Sequence, residues 1–108
     1  MKQPAIYIMT SQRNGTLYVG VTSNLEQRVY QHKNESMKGF SSKHNCKILA
    51  YYEIYENMES AILREKQIKG GSRLKKLRLI EDMNPQWKDL SLTWIASSQA
   101  PRNDGVTL

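Results

Sequence analysis

A disulfide framework and a zinc knuckle are both excluded at the outset, because the 108 residues include one cysteine, Cys46, and only two histidines. A lone thiol also suits a reducing compartment. Long apolar runs are missing too. The stretch from Ala5 to Met9 is too short for a signal-peptide core or a membrane span, so a cytoplasmic protein with no membrane partner is expected. Acid is scarce, with 10 Asp and Glu against 16 Lys and Arg and a net charge of +6. The scarcity is local. From Arg64 to Arg78 there are seven cations and one acid, Glu65, so these fifteen residues carry as much net charge as the whole chain. Such a block favours a polyanion, nucleic acid above all, although a solvated helix face is the ordinary alternative.

What is present reads as a single α+β domain. The expected order is ββαβαα, a small three-stranded antiparallel sheet flanked by helices, over residues 1–96, with 97–108 a disordered polar tail. Strands are predicted at 5–11, 16–22 and 46–55. Helices are predicted at 24–35 (Ser23 and Glu26 forming a capping box), 58–69 (after Asn57 and before Gly70-Gly71), and from Ser72 to Met83. Residues 36–45 read as loop. Asn84-Pro85 stops the last helix, and Trp87, Leu90, Leu92, Trp94 and Ile95 are apolar enough to dock afterwards.

Asn14-Gly15 between two β-rich runs predicts a two-residue hairpin turn. That turn pairs Tyr7 with Thr22, Met9 with Gly20 and Ser11 with Tyr18. Strand alternation then puts Tyr7, Tyr18 and Gly20 on one face, and Ile6, Ile8, Leu17, Val19 and Val21 on the other. A three-residue loop would instead separate the two phenols. In the third strand, Ile48, Ala50, Tyr52 and Ile54 alternate with Tyr51, Glu53 and Tyr55.

Arg28 and His32, four apart on the first helix, share a face. A guanidinium can clamp a phosphate and an imidazole can relay protons, but two surface residues would look the same. Glu65 falls within the apolar stripe of Met58, Ala61, Ile62 and Ile68. A carboxylate so placed needs a cation, either a metal ion or Lys69 one turn on.

Taken together, Ala5-Ile6-Tyr7, Tyr18-Val19-Gly20, Arg28, His32 and Glu65 resemble the GIY-YIG nuclease domain over residues 4–90. The ending Asn84-Pro85-Gln86-Trp87-Lys88-Asp89-Leu90 is similar to that of small single-domain bacterial members. The resemblance implies a metal-dependent endonuclease that hydrolyses DNA, structure-specific in repair or recombination, with RNA left open as a substrate. It implies Glu65 as ligand of one divalent ion, Mg²⁺ or Mn²⁺, and Arg28 on the phosphate. Tyr7 would be the base, with Tyr18 positioning water or phosphate and His32 assisting proton transfer. Lys69, Arg73, Lys75, Lys76 and Arg78 are the expected nucleic-acid contacts. Ala5 stands where the family has glycine, and Val19 where it has isoleucine. Thr22 and Leu77 replace a lysine and an asparagine of the repair and restriction branches, so those auxiliary roles do not carry over. Specificity then has to come from DNA shape, a partner protein or the 36–45 loop. The alternative is a non-catalytic nucleic-acid-binding module, with Tyr51, Tyr52 or Tyr55 stacking on bases.

Overall fold

The computed structural model describes residues 3–34 and 45–92. Among these residues the order is ββαβαα: strands β1 (Ala5–Thr10), β2 (Leu17–Thr22) and β3 (Ile48–Ile54), and helices α1 (Leu25–Lys33), α2 (Met58–Gly70) and α3 (Arg73–Met83). The sheet is antiparallel throughout, in the order β2-β1-β3. Every residue of the central strand β1 is buried, because helices cover both faces. Ile6, Ile8, Val19 and Ala50 pack against Ala61 and Ile68 of α2, Ile80 of α3 and Trp87. On the opposite face Tyr7, Met9 and Leu49 pack against Leu25 and Val29 of α1.

The hairpin differs in register from the sequence expectation. Tyr7 lies opposite Gly20 and Met9 opposite Tyr18. Residues 12–15 form the connection, with Gly15 N–H donating to the Gln12 carbonyl at 2.9 Å and Asn14 at φ 56°. Ser11 closes it, its hydroxyl accepting from Thr16 N–H at 3.1 Å. Asn-Gly is therefore used as a turn, but in a wider loop. The resulting slip is two residues, an even number, so every side chain keeps its predicted face.

The third strand is less regular than predicted. A bulge sets Tyr51 opposite Ile8 and Leu49 opposite Met9, leaving Ala50 as the extra residue. Alternation breaks there, so Ala50 joins Tyr51 on the α2 face and Leu49 joins Tyr52 on the α1 face. Asn84 Nδ2 donates to the Ala50 carbonyl at 3.1 Å, which ties the end of α3 to the bulge.

The helix caps are mostly as expected. Asn57 and Ser72 accept from Ser60 and Lys75 N–H groups. At α1 the cap is Asn24, accepting from Gln27, and not Ser23. Ile62, expected in the apolar stripe of α2, is exposed. After α3, Asp89 holds the chain down by accepting from Leu49 N–H at 3.3 Å, Ser91 N–H at 3.1 Å and the Ser91 hydroxyl at 2.7 Å. Its second oxygen pairs with Lys33 at the end of α1. Trp87 docks in the core while Leu92 stays exposed. The predicted 36–45 loop falls almost wholly, and the 97–108 tail wholly, outside the described residues, as do Trp94 and Ile95. No helix among the described residues is long and apolar enough to cross a membrane.

Candidate active site

Tyr7 and Tyr18 come from adjacent strands, and Gly20 makes room for them. A Cβ built on Gly20 would lie 2.5 Å from the Tyr7 ring carbon Cζ and from its hydroxyl. The missing side chain at position 20 is therefore a steric requirement of Tyr7. The third member arrives on α1, whose buried stripe is Leu25, Val29 and His32. Spacing of four and three residues turns His32 toward the sheet along with two aliphatic side chains. Its Nε2 lies 2.9 Å from the Tyr7 hydroxyl. The His32 ring meets Tyr7 edge-on at 5.5 Å and Tyr18 at 5.1 Å, and the two phenol rings are 6.3 Å apart. Arg28, half-buried one turn earlier on α1, is felt by both Tyr7 and His32.

Burial dominates the electrostatics. It pushes the Tyr7 phenol well above its usual 10.0, and the neighbouring Tyr18 adds to the rise while the Arg28 charge and hydrogen bond oppose it. Burial, then the Arg28 charge, lowers His32 from 6.5 to about 4. At neutral pH the imidazole is thus uncharged. Its Nε2 accepts from the Tyr7 hydroxyl when its own proton sits on Nδ1. The arrangement is a phenol held against a neutral proton acceptor, beside a cation. Tyr7 is fully covered, whereas Tyr18 and Arg28 are only half-buried.

Glu65 is carried by a different helix, α2. Its helix neighbours Ala61 and Ile68 belong to the core on the other face of the sheet. Its carboxylate, 11% exposed, is 2.5 Å from Lys69 Nζ, the i+4 partner anticipated as the alternative to a metal. No group of three or more His, Cys, Asp or Glu that could hold a metal occurs among the described residues. That donor set does not suit a closed zinc site. A single anchored carboxylate does suit a hard divalent ion that keeps waters and takes phosphate oxygens for its other ligands.

The five expected nucleic-acid residues divide. Lys69 is paired with Glu65. Arg73 Nη2 donates to the carbonyls of Asn14 and Gly15, each at 2.7 Å, and so clasps α3 to the hairpin loop. Lys76 Nζ donates to the Gly71 carbonyl at 2.8 Å. The side chains of Lys75 and Arg78 have no hydrogen-bond or ion-pair partner among the described residues.

One polar network escaped sequence reading. Arg64 grips Glu53 with both ends of its guanidinium, Nε at 3.0 Å and Nη2 at 3.1 Å. Tyr55 donates to Glu53 at 2.6 Å, and Tyr51 donates to its other oxygen. Burial alone would raise the Glu53 carboxyl, but the hydrogen bonds from Arg64, Tyr51 and Tyr55 together hold it below 4.5. Tyr51 and Tyr55 are therefore engaged within the fold, and Arg64 is neutralised. The signal was the alternation of Tyr51, Glu53 and Tyr55 on one strand face. Tyr52, opposite Tyr7 in register, is half-buried against the other cluster.

Against known proteins, the family model described as the GIY-YIG catalytic domain matches residues 3–78. A UPF0213 protein of Staphylococcus saprophyticus is 33% identical over 82 residues, covering 76% of this chain and 99% of that protein. One from Staphylococcus haemolyticus is 32% identical with the same coverage. One from Staphylococcus aureus is 34% identical over 77 residues, 71% of this chain and 93% of that protein. No solved structure matches significantly.

Proposed function

The chain belongs to the GIY-YIG catalytic-domain family, and from that premise we propose that it is a metal-dependent endonuclease hydrolysing DNA phosphodiester bonds. The observation that carries the reading is the 2.9 Å contact between the Tyr7 hydroxyl and a neutral His32, beside Arg28. The rings of Tyr18, Tyr7 and His32 form a triangle, and the hydrogen bonds of Tyr7 to Tyr18 and to His32 give a proton a path across it. The burial of Tyr7 supports giving contact with the attacking water to Tyr18, the more exposed phenol. As the water's proton reaches Tyr18, Tyr18 gives its own to Tyr7, and Tyr7 gives its own to His32 Nε2. The imidazole ends protonated and each phenol ends as it began. This exchanges the roles expected from sequence, where Tyr7 was to meet the water. Arg28 binds the scissile phosphate and opposes the negative charge that grows on it. A Mg²⁺ or Mn²⁺ ion at Glu65 would supply Lewis-acid help to the phosphate and the leaving oxygen. Glu65 is on the helix packed against β2, the strand that carries Tyr18.

The test is incubation with linear, nicked, flapped and four-way DNA in Mg²⁺, Mn²⁺ or EDTA. Cutting that needs metal and disappears in Glu65→Ala, with DNA binding kept, is the expected result. Metal-dependent cutting by Glu65→Ala would remove Glu65 from the mechanism. A binding module without turnover is the second reading, favoured by the Lys69 ammonium already neutralising Glu65. It predicts DNA binding, no cutting on any substrate, and indifference to Glu65→Ala.

A further inference from the structure

Helix α3 carries its charges the wrong way round. A helix N-terminus is electropositive and favours acids, while its C-terminus favours cations. Helix α1 obeys, with Glu26 in its first turn and Lys33 in its last. So does α2, with Glu59 and Lys69. Helix α3 has no acid in its first turn and no base in its last. Arg73, Lys75 and Lys76 crowd its positive end, and Glu81 and Asp82 lie near its negative end. A local rule broken in this way points to a ligand that repairs it.

The structure offers a place for one. A cleft of about 280 Å³ opens between α2 and α3. Its floor includes Ile68 and Leu79, and Lys75, Lys76 and Arg78 line it beside Gly71. Arg64 reaches it already committed to Glu53, and Asp82 is its one acid. At about 30 Å³ per water, that space holds on the order of nine waters, enough for a phosphate group with part of its hydration. The side chains of Lys75 and Arg78 have no hydrogen-bond or ion-pair partner among the described residues. The cleft belongs to the helix layer behind the aliphatic face of the sheet, whereas Tyr7 and His32 lie beneath α1 on the other face.

We propose that this cleft seats the phosphodiester backbone of a nucleic acid, with Lys75 and Arg78 as the anion-binding side chains and the α3 N-terminus adding its partial charge. DNA held there is gripped at phosphates other than the one beside Arg28. The choice of DNA as partner rests on the nuclease reading, but the cleft can be tested without any turnover.

Binding of short duplexes of unrelated sequence is measured in EDTA over a range of salt. The log of the binding constant falls by about 0.9 per log salt for each phosphate neutralised. Lys75→Ala/Arg78→Ala should flatten that slope by about two units for every sequence alike. The charge-matched control, Lys66→Ala/Lys88→Ala, removes two exposed cations outside the cleft and should change it far less. Because Lys75 is a cation at the wrong end of a helix and the Arg78 side chain has no partner among the described residues, that variant should melt no lower than the parent. Inorganic phosphate should raise the melting temperature of the parent but not of the cleft variant. Equal slopes for the two double variants would overturn the proposal. So would a phosphate effect on melting with no change in the DNA slope, which would make the cleft a site for small anions only. Absence of cleavage with these binding results intact would sink the nuclease reading and leave the cleft standing.

Discussion

Two tyrosine clusters occupy the two faces of one small sheet, and their ingredients are nearly the same. Tyr7 and Tyr18 sit with Arg28 and His32 under α1, and Tyr51 and Tyr55 sit with Arg64 and Glu53 beside α2. In both, burial pushes the central phenol, Tyr7 or Tyr51, well above its usual 10.0. A perturbed phenol is therefore no mark of chemistry by itself. The difference lies in the fourth member. Glu53 cancels the Arg64 charge and accepts from both of its tyrosines, so that cluster is complete as a clasp between β3 and α2. His32 is neutral, so no anion within the first cluster cancels Arg28, and a proton acceptor stands against Tyr7. One cluster holds the fold; the other keeps an electrostatic debt that a phosphate can settle.

The largest effect should come from removing that charge. Arg28→Ala is expected to slow single-turnover cleavage by about 10²- to 10³-fold, the usual cost of losing one donor to transition-state charge, with little change in melting. An equal loss in ground-state DNA binding would make Arg28 a generic contact instead. The counterpart, Glu53→Ala, strands Arg64, the buried Tyr51 phenol and the half-buried Tyr55 phenol. It should cost about 2 kcal/mol of stability, less than a fully buried pair because Arg64 is 31% exposed. Its cleavage rate per folded molecule should stay within a few-fold of the parent; a collapse of rate at full folding would join the two clusters functionally.

Tyr7→Phe and Tyr18→Phe should each lower the rate about 10²-fold, because either breaks the proton relay. Tyr51→Phe should leave the rate unchanged and cost roughly 1 kcal/mol of stability, the worth of one hydrogen bond. Full activity in Tyr7→Phe would end its place in the relay.

The smallest effect is a separation in pH. His32 titrates at about 4 in the fold against 6.5 ordinarily, so folding favours its neutral form. Its share of stability is complete above about pH 6.5 and is lost as pH falls toward 4. Glu53, held below 4.5, contributes above that value and is lost only as pH falls beneath it. Melting followed against pH should show two steps of loss. His32→Gln should flatten the upper one and Glu53→Gln the lower. A single step unaffected by either variant would mean that neither group governs acid unfolding.

Local chemistry settled much of this protein in advance. Side-chain alternation put both phenols on one face, and an even register slip could not undo it. Asn57 and Ser72 capped where their side chains could reach, and spacing of three and four put His32 in line with Leu25 and Val29. These are matters of period and reach within a few residues, so the order of amino acids is enough. Which cation meets which anion is another matter. Glu53 finds Arg64 across 11 positions, and Arg73 finds Asn14 across 59. The bulge at Ala50 was equally invisible, since it follows from how β3 fits β1 and from Asn84 waiting for its carbonyl. The basic block could be counted in the sequence, but only packing decided that Arg64, Lys69, Arg73 and Lys76 would be bound within the fold while Lys66, Lys75 and Arg78 were left over. Charge is additive along a chain; neutralisation depends on distance in space, and that the tertiary structure alone supplies.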